Sequence, residues 1–78
     1  MYVALMILID LNPGETATIN GISGNSHFQS RLVELGLLAG TEVRMIKQMP
    51  FNGPVEIKIR NSYLTIRWND AKQVDIVV

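Results

Sequence analysis

The chain is 78 residues long, balances seven basic against seven acidic residues, and contains one histidine and no cysteine. That length sets one domain with a small core, burying roughly 60% of its unfolded surface, with no disulfide and no histidine set for a protein-only zinc site. Cations matched by as many anions along the whole chain argue against a general nucleic-acid binder, which needs a basic face, although a local patch stays open.

In chain order, an apolar run from Tyr2 to Ile9 comes first. It is far short of the about 20 residues a helix needs to cross a bilayer, and no basic segment or small-residue cleavage site marks a signal peptide. It reads as a buried or edge strand, and an apolar edge invites pairing with a second copy of the chain. The turn Asn12-Pro13-Gly14-Glu15 follows, with proline presetting φ and glycine supplying the positive φ of a type II turn. Residues 16–22 then alternate, with Ala17, Ile19 and Gly21 on one side. Ile22 falls out of step, so a bulge is expected near Gly21.

Residues 23–37 hold the helix. Ser26 with Gln29 three positions on forms a capping box, and Phe28, Leu32 and Leu35 fall on one apolar stripe. Gly36 sits at the left-handed position of a Schellman ending, which sets Leu37 against Leu32. A helix this short is not stable alone and must lie on a sheet. Leu32, Leu35 and Leu37 are expected in the core, with Leu38 left over at its edge.

A glycine turn at 38–41 leads into a strand at 41–49 with Val43 and Met45 on one face. At 50–54 the turn signal is Asn52-Gly53, bracketed by Pro50 and Pro54, from which Phe51 protrudes. A hairpin follows. With Asn61-Ser62 as its loop, Ile59 meets Leu64, Ile57 meets Ile66 and Val55 meets Trp68 on the inner face. On the outer face Glu56 meets Arg67, an opposite-charge pair. Residues 69–71 form a helical turn and residues 73–78 a closing strand. Five or six short strands with one short helix inserted after the first barrel strand close most easily into a little barrel that hides its edges. The expected fold is mainly β, an SH3-like barrel with the helix capping one opening. It is a single domain over 1–78, of which residues 1–9 are an apolar N-terminal extension.

Candidate chemistry is sparse. His27, in the first helical turn, has no carboxylate spaced to serve it locally. Asp10, Glu15, Glu34, Glu42, Glu56, Asp70 and Asp75 fall mostly in turns or on outward strand positions, where a solvated surface is expected. Ser26 and Ser30 lack a basic partner, and the glycines of NGISGNS lack the spacing of a phosphate loop. No catalytic residue, cofactor site or metal ligand is expected, and the chain does not read as an enzyme.

The segment from Arg31 onward resembles the FeoA family of small bacterial ferrous-iron-transport proteins. The resemblance rests on RLxELGLxxGTxV at the helix end, P-x-x-G-P-V at the turn, LxIR-x-x-x-A at the end of the hairpin, and the opening L-x-PGE, and covers residues 10–78. It departs at Asn61-Ser62, where the family favours a small residue or glycine, at Trp68, where a charged residue is more usual, and in the longer apolar extension. The resemblance implies an SH3-like barrel and a cytoplasmic accessory role in ferrous iron uptake. It implies a partner too, the cytosolic GTPase region of the FeoB membrane transporter, whose transport it would modulate. The same module forms the C-terminal domain of DtxR-type metal-dependent repressors. With no helical DNA-binding region and a start at its own Met1, this chain reads as the free-standing form. Arg31, Leu38 and Phe51 are the expected partner-binding residues, since arginine and aromatic anchors dominate binding energy once desolvated. No nucleic acid and no direct membrane insertion are expected, and a homo-oligomer through the N-terminal strand stays open. Two other readings are a small nucleic-acid-binding barrel, disfavoured by the zero net charge, and a weak Fe²⁺-binding or sensing module. The latter would rely on surface carboxylates and His27 without cysteine or clustered histidine.

Overall fold

Period-two alternation decides which strand side chains face inward in the regular stretches of this chain. The computed structural model describes residues 5–78; residues 2–4 of the apolar opening run lie outside the described residues. The strands are β1 (Leu5–Ile7), β2 (Thr16–Ile22), β3 (Glu42–Gln48), β4 (Val55–Ile59), β5 (Ser62–Ile66) and β6 (Val74–Val77). Helix α1 (Ser26–Glu34) lies between β2 and β3, and the one-turn helix α2 (Trp68–Ala71) between β5 and β6. The strands form one sheet in the order β1-β6-β2-β3-β4-β5, every neighbouring pair antiparallel.

Alternate residues are buried throughout β4 and β6 and up to the bulges of β2 and β3, giving Ala17 and Ile19, Val43 and Met45, Val55, Ile57 and Ile59, and Val74 and Ile76. Leu8, Leu11, Leu32, Leu37, Ile66 and Ala71 complete the same core cluster. The register shifts once in β2 between Ile19 and Gly21, where the bulge was expected, and once in β3 between Met45 and Lys47. Such insertions bend a strand and strengthen its twist, so this sheet can curl over a single core.

The first turn is the expected one: Gly14 takes φ 90 and the Glu15 amide donates to the Asn12 carbonyl at 3.0 Å. Part of the apolar run is a strand of this chain's own sheet, with Leu5 opposite Val77 and Met6 opposite Ile76. The Gln48 side-chain amide then holds the following segment, donating to the carbonyls of Ile9 at 3.0 Å and Leu11 at 2.8 Å.

The helix starts one residue away from the expected cap. Asn25, extended at φ −76 and ψ 167, is the N-cap, and its Oδ1 accepts the Phe28 amide at 2.8 Å. Gln29 reaches back to the Gly24 carbonyl at 2.8 Å rather than to a serine cap. Asparagine caps at least as well as serine, and Gly24 at φ 102 turns the chain so that Asn25, not Ser26, precedes the first helical residue. The other end is as expected. Gly36 takes φ 105, its amide donates to Val33 at 2.9 Å, and the Leu37 amide donates to Leu32 at 3.1 Å. Leu37 is thereby fully buried.

Leu35 is not in the core; it is 48% exposed. Leu35 is the C-cap residue of α1, and the reversal at Gly36 inserts Leu37 beside Leu32 in the place the stripe had reserved for it.

The hairpin is shifted by two residues from the expected register. Its loop is Arg60-Asn61, so that Ile59 pairs with Ser62, Ile57 with Leu64 and Val55 with Ile66. Glu56 therefore faces Thr65 instead of Arg67, and Trp68, expected opposite Val55, begins α2 and packs half-buried against the core. Helix α2 ends the strand early: the Arg67 carbonyl accepts the amides of Asp70 and Ala71 at 3.0 and 2.9 Å. The preceding turn also differs. Its left-handed residues are Phe51 and Asn52, at φ 59 and 57, and the Gly53 amide closes it on the Pro50 carbonyl at 3.2 Å. Gly53 is needed for closeness instead, since a Cβ there would lie 2.8 Å from the Met49 Cβ.

Candidate protein-binding surface

Leu38 lies in the turn between α1 and β3. The Thr41 amide donates to its carbonyl at 3.1 Å, and two bonds of 2.8 and 2.9 Å fasten this turn to β2. They run from the Gly40 amide to the Ile19 carbonyl and from the Ile19 amide to the Thr41 carbonyl, and with the turn so fixed the Leu38 side chain stands 40% exposed. Phe51 is at the opposite end of β3, fully exposed at the tip of the β3–β4 turn. The seven residues of β3, at about 3.3 Å each, separate the two by roughly 20 Å.

Arg31 is committed elsewhere. Its guanidinium donates to Asp70 Oδ2 of α2 at 3.3 Å and stands 6.0 Å from the Phe28 ring centroid. Both partners keep solvent contact, so the pair contributes only about 0–1 kcal/mol, but it holds the arginine against α2. The three expected contact residues thus occupy three separate places.

Two groups of exposed side chains went unread in the sequence. Val33 and Leu35, with Leu38, make the C-terminal end of α1 apolar and open, and Met49 accompanies Phe51 at the turn. The signal for the first was the shortness of the helix, whose stripe runs out at its cap. The second group is polar, a groove of about 450 Å³ lined by Gly40, Thr41, Glu42, Arg44, Lys58 and Arg60. It could not be seen before the β3–β4 register was known.

Several carboxylates turn out to serve local structure. Asp10 accepts the Ile7 amide at 3.0 Å, Glu15 the Asn12 amide at 2.7 Å, and Asp75 the Ser23 hydroxyl at 3.4 Å. His27 is exposed on α1. Among the described residues no three His, Cys, Asp or Glu side chains gather as a metal site, and no helix is long and apolar enough to cross a membrane.

A curled six-stranded antiparallel sheet with one helix between its second and third strands defines the class, a small SH3-like domain. The FeoA domain family matches residues 6–78, and the chain belongs to that family, which is linked to ferrous iron transport. A curated relative is the Fe(2+) transport protein A/Fe(2+) transporter FeoB fusion protein of Porphyromonas gingivalis (strain ATCC BAA-308 / W83). It is 27% identical over 71 residues, which are 91% of this chain and 8% of that much longer protein. Iron(II) transport protein A from Clostridium thermocellum superposes with a TM-score of 0.86 at 29% identity, covering 94% of this chain and 45% of that one. FeoA of Stenotrophomonas maltophilia, described as a prokaryotic SH3 domain protein and complexed with zinc, has a TM-score of 0.78 at 28% identity, covering 91% and 88%.

Proposed function

We propose that this chain is a cytoplasmic accessory protein of bacterial ferrous iron uptake that binds the cytosolic GTPase region of a FeoB-type transporter and modulates its transport. The observation that carries this reading is the fused relative, in which an FeoA-like segment and the transporter share one polypeptide. A tether raises the effective concentration of two modules to the millimolar range; a separate chain must reach the same partner through its own surface. Leu38 and Phe51 supply that surface, with Leu35 beside the first and Met49 beside the second. A fully exposed aromatic ring held on a tight turn loses little freedom when it is seated in a pocket, which is what makes such residues anchors. Arg31 contributes where the partner competes with Asp70 for its guanidinium.

The test is uptake of radiolabelled ferrous iron by cells that keep the transporter but lack this chain. The wild-type chain and His27→Ala restore the wild-type uptake level. The double variant Leu38→Glu/Phe51→Glu, folded as judged by circular dichroism, does not. Full restoration by the double variant would overturn the surface assignment.

A further inference from the structure

At the end of the β3–β4 ladder away from Phe51, two unfavourable features coincide. Arg44 and Lys58 are direct cross-strand partners on the solvent side of the sheet, between the buried pairs of Val43 with Ile59 and Met45 with Ile57. Like charges placed directly opposite destabilise a sheet. Immediately beyond, Arg60 holds φ 55 in the hairpin loop, a left-handed conformation that glycine or asparagine takes far more readily than arginine. Arg44, Lys58 and Arg60 line one groove, and none of them is in an ion pair; among the described residues that bond joins Arg31 and Asp70. A chain with zero net charge therefore gathers three cations against one carboxylate, Glu42, at one spot, on a strained turn.

We propose that this groove binds a carboxylate-rich, extended segment of a protein partner. The two guanidinium groups match carboxylates in bidentate geometry. Lys58 is held near the wall by the Tyr63 ring, its Nζ 5.5 Å from the centroid. Bound carboxylates offset the Arg44–Lys58 repulsion, which in the free chain has one carboxylate in the lining, Glu42, set against three cations. The lining also selects among anions. Glu42 and Thr41 stand in the same groove, where their oxygens accept hydrogen bonds from the amides of an extended peptide, donors that inorganic phosphate and a phosphodiester backbone lack. The proposal does not rest on which transporter the chain serves.

The experiment is a nitrogen-15 NMR titration of the full chain with an acetylated, amidated octapeptide of alternating glutamate and glycine. A glutamine–glycine peptide, inorganic phosphate and a short single-stranded DNA are run in parallel. Saturable shifts confined to the amides around Gly40, Thr41, Arg44, Lys58 and Arg60 are expected with the acidic peptide. Arg44→Gln and Lys58→Gln each weaken its binding by about tenfold. Arg60→Asn weakens binding while raising the melting temperature, because it removes charge and strain together; a purely structural arginine would give the second effect without the first. Binding that the charge-removing variants leave unchanged, equal shifts with the glutamine peptide, tighter binding of phosphate or DNA at the same residues, or no saturable shift with the acidic peptide would each overturn the proposal.

Discussion

Phe51 presents its whole side chain to solvent and holds a backbone φ of 59. Neither helps the folded state, since the ring buries nothing and the left-handed conformation costs an L-residue about 1 kcal/mol or more. Phe51→Asn is therefore expected to leave stability unchanged or raise it by up to about 1 kcal/mol in urea denaturation, while weakening partner binding. Leu32 and Leu35 make the converse comparison. Leu32→Ala, in the core, is expected to cost about 2–5 kcal/mol, and Leu35→Ala less than about 0.5 kcal/mol, by the same measurement. Periodicity alone put both leucines inside. The turn at Gly36 and the inward Leu37 were both expected; what periodicity missed is that the cap position leaves Leu35 outside once Leu37 fills the place beside Leu32.

At the scale of elements, much of the fold was legible because alternation and turn chemistry are local. The bulge near Gly21, the Schellman ending, the one-turn helix α2 and the closing strand all follow from neighbouring residues. The hairpin shows where local reasoning stops. Sliding it by two residues keeps Val55, Ile57 and Ile59 facing inward along with Leu64 and Ile66, so the apolar pattern suits both registers. The choice falls to the loop and to α2, which claims Arg67 and Trp68. The helix start is similar: Asn25 and Ser26 are both good caps, and the direction set at Gly24 selects between them. Asn25→Ala is expected to cost about 1 kcal/mol and Ser26→Ala no more than about 0.5 kcal/mol, measured by thermal unfolding. The reverse order would return the cap to Ser26.

Over the whole molecule, contacts between distant segments decide what the sequence could not show. The Cα radius of gyration of 11.5 Å matches the roughly 11–12 Å of a compact globule this long. Within it β6 lies between β1 and β2, and the segment after β1 is tied down. Gln48 does the tying through the Ile9 and Leu11 carbonyls, 39 and 37 residues away, a bond pair that no local pattern announces. Gln48→Ala leaves those carbonyls without their donor and is expected to cost about 1–3 kcal/mol, with faster amide exchange in β1 than in β4. The groove was hidden for the same reason: Arg44 and Lys58 are unremarkable in sequence and meet only through the β3–β4 ladder. Leu38, by contrast, could be singled out beforehand as the leucine the core had no room for, and Phe51 as the ring carried on a tight turn. The claim that these two residues meet the transporter is tested most directly by calorimetric titration of the chain into the purified cytosolic GTPase region of a FeoB-type transporter from the same cells. Saturable binding, weakened at least about tenfold by Leu38→Glu/Phe51→Glu with the fold intact, is the predicted result; absence of binding by the wild-type chain, or wild-type affinity in the double variant, would contradict it.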